Sequence, residues 1–326
     1  MNNTLYVIIP CYNEEKVLPI TSGMLSGELA RLMETKKISK DSRLLFVDDG
    51  SVDDTWKIIC SLSEACEYIK GISLSRNTGH QNALLAGLAE ACGKCDMTIS
   101  IDCDGQDDVS AMEKMIDCYI DGSDIVYGVR KSRRKDSLFK RTSARAFYRL
   151  LESMGVKTVY DHADYRLMSE RSVRALLEFK DANLYLRGMI PLIGFKSTAV
   201  EYERLERIAG KTRYSVSKML SLALNAITGL SVKPLRIIAG MGILVSLLSG
   251  AGILWSLFQY FFGTTVSGWT STLCVVCFLS GVQLLSLGIV GEYIGKIYME
   301  TKHRPHFIVS ERTEEHEHKF KKDGHE

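Results

Sequence analysis

The chain has 326 residues, more than one average domain, with 46% hydrophobic and 25% charged side chains. The chain has 41 lysines and arginines and 39 acidic residues, a net charge of +2. A net charge this small excludes a protein that attracts polyanions through the electrostatic field of the whole molecule. The composition also excludes a disordered tail protein, a collagen-like chain and a small disulfide scaffold. Because residues 237–262 and 270–291 carry no charged side chain, a purely soluble enzyme is excluded as well.

The start of the chain lacks the basic segment of a signal peptide, since no lysine or arginine precedes the apolar run that ends at Pro10. We therefore expect the N-terminal domain to stay in the cytosol. Nine cysteines without a framework spacing, an odd number, indicate free thiols. Cys92 and Cys95 have the spacing of half a zinc site, but a structural zinc site normally needs a second pair, so thiols are the preferred interpretation.

Strand and helix patterns alternate over the first 128 residues. Strands are predicted at 5–9, 43–47, 71–74, 97–101 and 125–129, and helices at 15–36, 55–66, 81–92 and 109–122. Because helices of roughly 10–15 residues separate the strands, the pattern predicts a mostly parallel α/β sheet with helices on both faces.

A basic segment follows the fifth predicted strand. Between 130 and 149 it holds nine lysines and arginines against one acid, Asp136, together with a stripe of apolar residues. This pattern predicts a basic amphipathic helix at about 137–151 that lies on an anionic membrane. A basic helix face that is merely solvated is the alternative.

The C-terminal third predicts a membrane hairpin. An amphipathic juxtamembrane helix at 215–232 leads into two spans at about 237–262 and 270–291, within 233–300. A span of 26 residues makes about 39 Å of helix, enough to cross a bilayer with tilt. Lys233 and Arg236 precede the first span and Lys296 and Lys302 follow the second, so both ends of the hairpin are expected in the cytosol. Residues 301–326 are predicted to be a cytosolic, disordered tail.

Polar clusters follow three of the predicted strands, at the sheet edge where ligands of parallel sheets bind. They lie at 11–15, 48–49 and 102–104, and none has the glycine pattern of a dinucleotide or triphosphate loop. In the third cluster Asp102, Asp104 and Gln106 offer hard oxygen ligands, which suit Mg²⁺ or Mn²⁺ bridging a diphosphate. An acidic loop that caps the helix from Val109 is the alternative.

Several motifs occur in an order typical of one family: IIPCYNEE at 8–15, VDDGSVDDT at 47–55, SRNTG at 75–79 and the Asp-x-Asp pair Asp102 and Asp104. They resemble the inverting glycosyltransferases of family 2, which have the GT-A fold, a Rossmann-like mostly parallel sheet. Segments 164–168, 207–214 and 283–298 are similar to the polyprenyl-phosphate sugar transferases, that is, bactoprenol glucosyltransferases and, more distantly, dolichol-phosphate mannose synthases. The resemblance covers about residues 4–306.

The resemblance implies a role for each matching residue. The nucleotide-sugar pocket would be lined by Pro10, Tyr12, Asn13, Glu14, Asn77 and Gly79, with Asp49 bonded to the uracil edge. Asp102 would hold ribose or sugar hydroxyls, and Asp104 and Gln106 would bind the metal. The lipid phosphate would be gripped by Arg130, Arg141, Arg207 and Arg213, because guanidinium groups bind phosphate oxygens in pairs.

Some of these roles have simpler alternatives. Asp164 would face the acceptor side of the sugar, or it is a loop carboxylate paired with Arg166. Pro10 and Tyr12 could simply form a turn that ends a strand. Many relatives have Lys-Glu after the Asn-x-Gly motif, whereas this chain has His80-Gln81, and this difference leaves the donor sugar open.

The implied reaction is inverting transfer of a sugar, glucose first and N-acetylglucosamine second, from a UDP-sugar to undecaprenyl (polyprenyl) phosphate. The β-linked lipid product would serve modification of cell-envelope glycans at the cytoplasmic membrane. Because the acceptor phosphate is already anionic, catalysis needs positioning and a metal, Mg²⁺ or Mn²⁺, that neutralises the leaving UDP. A homo-oligomer, a flippase and a downstream transferase are partners implied by resemblance, and nucleic acid is not expected.

Other function classes fit less well. A processive polysaccharide synthase typically has an Arg-Trp pair, which this sequence lacks, and more than two spans. A transferase with a hydroxyl acceptor would need a general base, for which only Asp164 is available. A non-catalytic membrane scaffold that binds UDP-sugar remains the alternative from a different class.

Overall fold

The computed structural model describes residues 3–131, 162–179, 181, 185–203, 233–262 and 268–314. The predicted helices at 137–151 and 215–232 lie outside the described residues, as do Arg141, Arg207 and Arg213. The chain divides into two compact units. The first comprises Met1–Tyr148, Lys157–Tyr214 and Arg304–Glu326, and the second Arg149–Val156 and Ser215–His303.

The first unit is built on an eight-stranded sheet. Its strands are β1 Leu5–Cys11, β2 Arg43–Asp48, β3 Ile69–Leu74, β4 Met97–Ser100, β5 Ile125–Arg130, β6 His162–Ser169, β7 Ser197–Tyr202 and β8 Val309–Arg312. Its helices are α1 Leu18–Glu34, α2 Thr55–Ala65, α3 His80–Ala91, α4 Ala111–Ile120, α5 Glu170–Leu177 and the short α6 Leu186–Met189, which a 3₁₀ turn at Ile190–Ile193 follows.

The strand order is β7-β5-β6-β4-β1-β2-β3-β8. β1 pairs in parallel with both β2 and β4, β2 is parallel to β3, and β5 is parallel to β7. Only β6 and β8 run antiparallel to their neighbours. The mostly parallel α/β sheet that the sequence predicts is therefore confirmed.

Apolar side chains cover both faces of this sheet. Leu5 and Val7 of β1 pack in one buried cluster with Leu18 of α1. Ile8, which points to the opposite face, packs in a second cluster with Leu84 of α3. A strand buried on both faces is expected where helices lie on both sides of a parallel sheet. The carboxyl ends of β1, β2 and β4 consequently meet at one edge, where the predicted site residues lie.

The segment after the predicted hairpin differs from the prediction of a disordered tail over 301–326. Val309–Arg312 forms β8, an edge strand antiparallel to β3. The charged composition hid this strand, because an edge strand needs only one apolar face and its exposed face is polar. Phe307 and Val309 pack against the second cluster, and Thr313 is buried. Residues 315–326 lie outside the described part of the chain.

The second unit contains two long helices, α7 Lys233–Phe262 and α8 Trp269–Thr301. Both present large exposed apolar side chains, among them Leu247 and Trp255 of α7 and Leu284 of α8. One described segment, Phe278–Thr301, is long and apolar enough to cross a membrane, with 24 residues and a mean hydropathy of 1.3. These helices are consistent with the predicted C-terminal hairpin, although α8 extends ten residues beyond the predicted end at 291.

Candidate active site

The loop after β1 is tied to the loop after β2. Asn13 has a φ of 55°, a left-handed conformation that asparagine tolerates better than most residues. Its side-chain oxygen accepts a 2.9 Å hydrogen bond from the N–H of Val52, and its own N–H donates to the Ser51 hydroxyl at 2.9 Å. The N–H of Glu14 donates to the Thr55 hydroxyl at 2.9 Å. These bonds fix the predicted nucleotide-binding segment at the carboxyl edge of the sheet.

Asp49 organises a third loop at the same edge. It is 2% exposed, and its carboxylate accepts hydrogen bonds of 2.8 and 2.9 Å from the N–H groups of Thr78 and Gly79. The Thr78 hydroxyl donates a further bond of 2.9 Å. Gly50 is required beside it, because its φ is +64° and an added Cβ would lie 2.5 Å from the carbonyl carbon of Arg76. The loop that carries Asn77 is thus held against β2.

These contacts place the predicted nucleotide-sugar residues together. Pro10 is the second-last residue of β1, which ends at Cys11, and Tyr12 is 45% exposed at the start of the loop. Asn77 is exposed and Gly79 is partly buried. Contact between Asp49 and a uracil edge stays a prediction, since that carboxylate accepts its hydrogen bonds from Thr78 and Gly79 of the loop after β3.

The Asp-x-Asp segment forms a tight turn directly after β4. Asp104 accepts a 3.1 Å hydrogen bond from the N–H of Gln106, which brings the two predicted metal ligands into one turn. The turn that leads into the next helix is instead stabilised by Asp108. Its carboxylate accepts hydrogen bonds of 2.9 and 2.7 Å from the N–H and the hydroxyl of Ser110. Asp102 and Asp104 therefore do not serve as the helix cap.

The predicted metal ligands suit an ion whose coordination is completed by the substrate. Among the described residues no group of three or more His, Cys, Asp or Glu side chains is arranged to hold a metal ion. Magnesium is usually bound through one or two protein carboxylates, with substrate phosphates and water supplying the other oxygens. One carboxylate, Asp104, and one amide, Gln106, fit such a shared site and do not fit an all-protein site.

A cluster of charged side chains surrounds Asp164 on β6. Arg187 of α6 donates from Nε and Nη2 to the two carboxylate oxygens of Asp164, each at 3.0 Å. Nη2 of Arg166, a residue that is 2% exposed, lies 3.6 Å from the same carboxylate. His80 Nε2 lies 3.4 Å from Asp164 Oδ2 and 3.6 Å from Asp102 Oδ1. The suggested pairing of Asp164 with Arg166 is present, but Arg187 makes the closer contact.

The cluster shifts the pKa values of its members in opposite directions. Burial raises the pKa of Asp102 to about 6, and the neighbouring carboxylates of Asp164, Asp107 and Asp104 add to this while His80 opposes it. Burial also disfavours the charged form of Asp164, but His80 and Arg187 outweigh it and hold the pKa of Asp164 well below its usual range. A carboxylate so stabilised as an anion is a weak base, which argues against Asp164 as a general base.

Arg130 is braced by two buried side chains. It ends β5, and its Nε donates a 3.2 Å hydrogen bond to the hydroxyl of Tyr202. That hydroxyl donates in turn to Asp107 at 2.5 Å, and Arg130 Nη2 lies 3.7 Å from the same carboxylate oxygen. Asp107 belongs to the loop of Asp104 and Gln106, so the predicted phosphate-binding arginine stands beside the predicted metal ligands.

Sequence reasoning missed Arg187, Tyr202 and the bridging position of His80. For His80 the one available signal in the sequence is its place directly after the SRNTG motif at 75–79. No local pattern marks Arg187 or Tyr202, because each reaches its partner only through packing of distant segments.

Comparison with known proteins identifies the family. Residues 6–177 match the family described as Glycosyl transferase family 2, which is more than half of the chain. The chain belongs to glycosyl transferase family 2. Residues 233–297 of this family 2 enzyme match the GtrB C-terminal hairpin. The predicted resemblance and the glycosyltransferase activity class are confirmed, and the matched hairpin together with the apolar helix associates the protein with a membrane.

Three relatives illustrate the likeness. Glycosyltransferase YkoT of Bacillus subtilis (strain 168) is 47% identical, over 94% of this chain and 90% of the relative. The bactoprenol glucosyl transferase of Shigella phage SfV is 34% identical, over 93% of this chain and 97% of the relative. The prophage bactoprenol glucosyl transferase homolog of Escherichia coli (strain K12) is 35% identical, again over 93% and 97%.

Proposed function

We propose that this family 2 enzyme transfers a sugar from a UDP-sugar to a polyprenyl phosphate such as undecaprenyl phosphate, with inversion at the anomeric carbon. The observation that carries the proposal is the placement of Arg130 beside the loop of Asp104 and Gln106, so that one sheet edge offers two elements suited to phosphate groups. Relatives named bactoprenol glucosyl transferase align over nearly their whole length and support the same acceptor. Glucose is the preferred donor sugar and N-acetylglucosamine the second choice.

The donor would occupy the edge formed by the loops after β1, β2 and β3. The exposed ring of Tyr12 and the backbone of the Asn13 and Gly79 loops would receive the nucleotide. Asp102 would bind ribose or sugar hydroxyls, and Asp104 with Gln106 would hold Mg²⁺ or Mn²⁺. Such an ion, when bound, neutralises charge on the leaving diphosphate.

The acceptor phosphate would bind at Arg130. Tyr202 and Asp107 hold this guanidinium in a fixed orientation, and a fixed guanidinium can pair with two phosphate oxygens at little entropic cost. Arg141, Arg207 and Arg213 are proposed to complete the phosphate clamp. A lipid phosphate oxygen is already anionic at neutral pH, so in-line attack requires no general base, in agreement with the low pKa of Asp164.

The second unit would anchor this reaction at the cytoplasmic membrane. We propose that its two helices cross the bilayer as a hairpin with both termini in the cytosol, because lysines and arginines flank the apolar segments. Assembly into a homo-oligomer is part of the same proposal. The β-linked lipid product would pass through a flippase to a second transferase that modifies a cell-envelope glycan.

Transfer from a panel of labelled UDP-sugars to undecaprenyl phosphate tests the proposal. Purified protein in detergent is supplied with Mg²⁺ or Mn²⁺, and Asp104→Asn serves as the inactive variant. Asp108→Asn is the matched control, since it changes a neighbouring carboxylate of the helix-entry turn and keeps the acceptor oxygen for Ser110. We expect one donor to give a metal-dependent lipid product that mild acid releases. If every donor fails while UDP still binds with metal, the scaffold alternative or a different acceptor replaces this proposal.

A further inference from the structure

His80 occupies an unusual position between two carboxylates that come from different strands. It begins α3, immediately after the loop that Asp49 holds through Thr78 and Gly79. Its Nε2 atom lies within 3.6 Å of Asp102, which follows β4, and within 3.4 Å of Asp164 on β6. One imidazole therefore links the donor-side aspartate to a second aspartate in the interior of the site.

Asp164 is itself held by two arginines. Arg187 occupies both of its oxygens in a two-bond pair, the strongest geometry available to a guanidinium and a carboxylate. Arg166 adds a positive charge, with Nη2 3.6 Å from Asp164 Oδ1. The Nε and Nη2 atoms of Arg166 have no hydrogen-bond partner among the described residues. Asp164 thus has a fixed orientation, and it presents that orientation to His80.

A neighbouring contact keeps His80 and Arg187 in register. The N–H of Leu186 donates a 2.9 Å hydrogen bond to the side-chain oxygen of Gln81. Leu186 precedes Arg187 and Gln81 follows His80, so this bond joins the start of α6 to the start of α3. The adjacent residues His80 and Gln81 therefore act in two linked contacts.

We propose that His80 and Arg187 are positioning residues for the donor sugar. Arg187 fixes Asp164, Asp164 fixes the imidazole of His80, and His80 sets the orientation of Asp102 toward the sugar. The inference rests on the proposed function and takes the second of the two contacts named there for Asp102, with the hydroxyls of the donor sugar and not with those of the ribose. Asp102 has three further carboxylates nearby, Asp104, Asp107 and Asp164, and the imidazole of His80, with Nε2 3.6 Å from Asp102 Oδ1, offsets their repulsion and keeps Asp102 in place.

The proposal predicts different effects on the binding of UDP-glucose and on the binding of UDP. UDP lacks the sugar, so a residue that acts only through Asp102 on sugar hydroxyls changes binding of UDP-glucose and leaves binding of UDP unchanged. A residue that merely supports the fold changes both. The ratio of the two dissociation constants, UDP-glucose over UDP, is therefore the informative quantity.

Isothermal titration of full-length protein in detergent with Mg²⁺ measures this ratio. We expect His80→Gln and Arg187→Ala each to raise it about tenfold, the size of one lost charge-assisted contact. His80→Lys keeps a cation between the carboxylates and is expected to stay within about threefold of wild type. The double variant is expected to match the single variants, because Arg187 acts on Asp102 only through Asp164 and His80.

Two matched controls change the same residue types away from the site. His303→Gln alters an exposed histidine after α8, and Arg174→Ala alters an arginine on α5 whose side chain is 65% exposed and pairs with Glu170. Both should leave the ratio unchanged. Equal weakening of UDP and UDP-glucose in His80→Gln, or additive losses in the double variant, would overturn the positioning role.

Failure of the inference is distinguishable from failure of the proposed function. If wild-type protein binds UDP-glucose normally and the variants keep its ratio, only the positioning role is lost. If wild-type protein binds neither UDP nor UDP-glucose, the UDP-sugar donor is wrong and the inference falls with it. If the ratio changes as expected but no sugar reaches undecaprenyl phosphate, the acceptor is wrong and the positioning role stands.

Discussion

The backbone N–H of Gly71 on β3 donates a 3.1 Å hydrogen bond to the hydroxyl of Thr313, 242 positions further along the chain. This contact holds residues that follow the second long helix against the edge of the sheet of the first unit. The approach is close, since a Cβ at Gly71 would lie 3.1 Å from the Thr313 methyl group. Nearby, the Trp56 indole N–H donates to Glu311 at 3.0 Å and the N–H of Ser75 donates to the carbonyl of Ile308 at 2.9 Å. The strand β8 thereby borders the loop that Asp49 organises.

Replacing the buried hydroxyl tests whether β8 stabilises the sheet. Thr313→Val removes the acceptor for Gly71 and leaves a buried N–H group unpaired, which costs about 1–3 kcal/mol of folding free energy. We expect a lower midpoint of thermal unfolding for the variant, measured in detergent. Thr35→Val, which removes an exposed hydroxyl at the end of α1, is the control and should keep the wild-type midpoint. Equal midpoints for all three proteins would show that the hydrogen bond from Gly71 to Thr313 adds no stability.

Asp49→Asn tests the loop that carries Asn77. The wild-type carboxylate accepts hydrogen bonds from the N–H groups of Thr78 and Gly79 and from the Thr78 hydroxyl. The amide offers one acceptor oxygen for these three donors, and it lacks the charge that strengthens the bonds. We expect UDP to bind about tenfold more weakly, together with a loss of about 1–3 kcal/mol of stability. Titration with UDP and thermal unfolding measure the two effects. Asp41→Asn, at an exposed turn, should change neither, and wild-type UDP affinity in Asp49→Asn would contradict the role given to this carboxylate.

Asp104→Asn tests the shared metal site. The amide keeps the size of the side chain and removes the charge that a divalent cation needs, so we expect transfer to fall at least about a hundredfold. Titration with Mn²⁺ in the presence of UDP should show weaker metal binding in this variant. Asp108→Asn should retain both activity and metal affinity. Wild-type rates in Asp104→Asn would remove this residue from the metal site.

Arg130→Ala tests the phosphate end of the site. Loss of the guanidinium should raise KM for the lipid about tenfold or more and change KM for the UDP-sugar little. Tyr202→Phe removes only the brace, since Arg130 then loses its 3.2 Å bond, and a smaller rise in lipid KM is expected. Steady-state kinetics with each substrate varied in turn provide both values. An unchanged lipid KM in Arg130→Ala would exclude the arginine from the phosphate clamp.

Much of the sheet and of its polar edge follows from sequence because the determinants are local. The apolar run 5–9 and the polar residues after it fix β1 and its loop, and the topology of parallel strands then brings such loops together. Contacts between distant segments could not be predicted. Gln81 and Leu186 are 105 positions apart in the sequence. β8 pairs with β3 although the two hairpin helices lie between them in the sequence. A strand of four mixed residues at a sheet edge carries no periodic signal that separates it from a charged tail.

The pH dependence of transfer tests the charge on His80. Burial lowers the pKa of this imidazole, but the hydrogen bond to Asp164 and the charge of Asp102 outweigh burial and the repulsion of Arg187, so its pKa is raised. A group with a raised pKa in the folded protein keeps its proton below its ordinary value and loses the associated stabilisation as the pH rises through the folded value. Asp164, whose pKa is lowered, stays anionic throughout this range.

We therefore expect kcat/KM for the UDP-sugar to fall on the alkaline side as His80 loses its proton. In His80→Lys the ammonium titrates at higher pH, so that alkaline limb should move upward by at least about one pH unit, whereas His80→Gln should lose it. An alkaline limb at the same pH in all three proteins would show that the charge of His80 plays no part in the reaction.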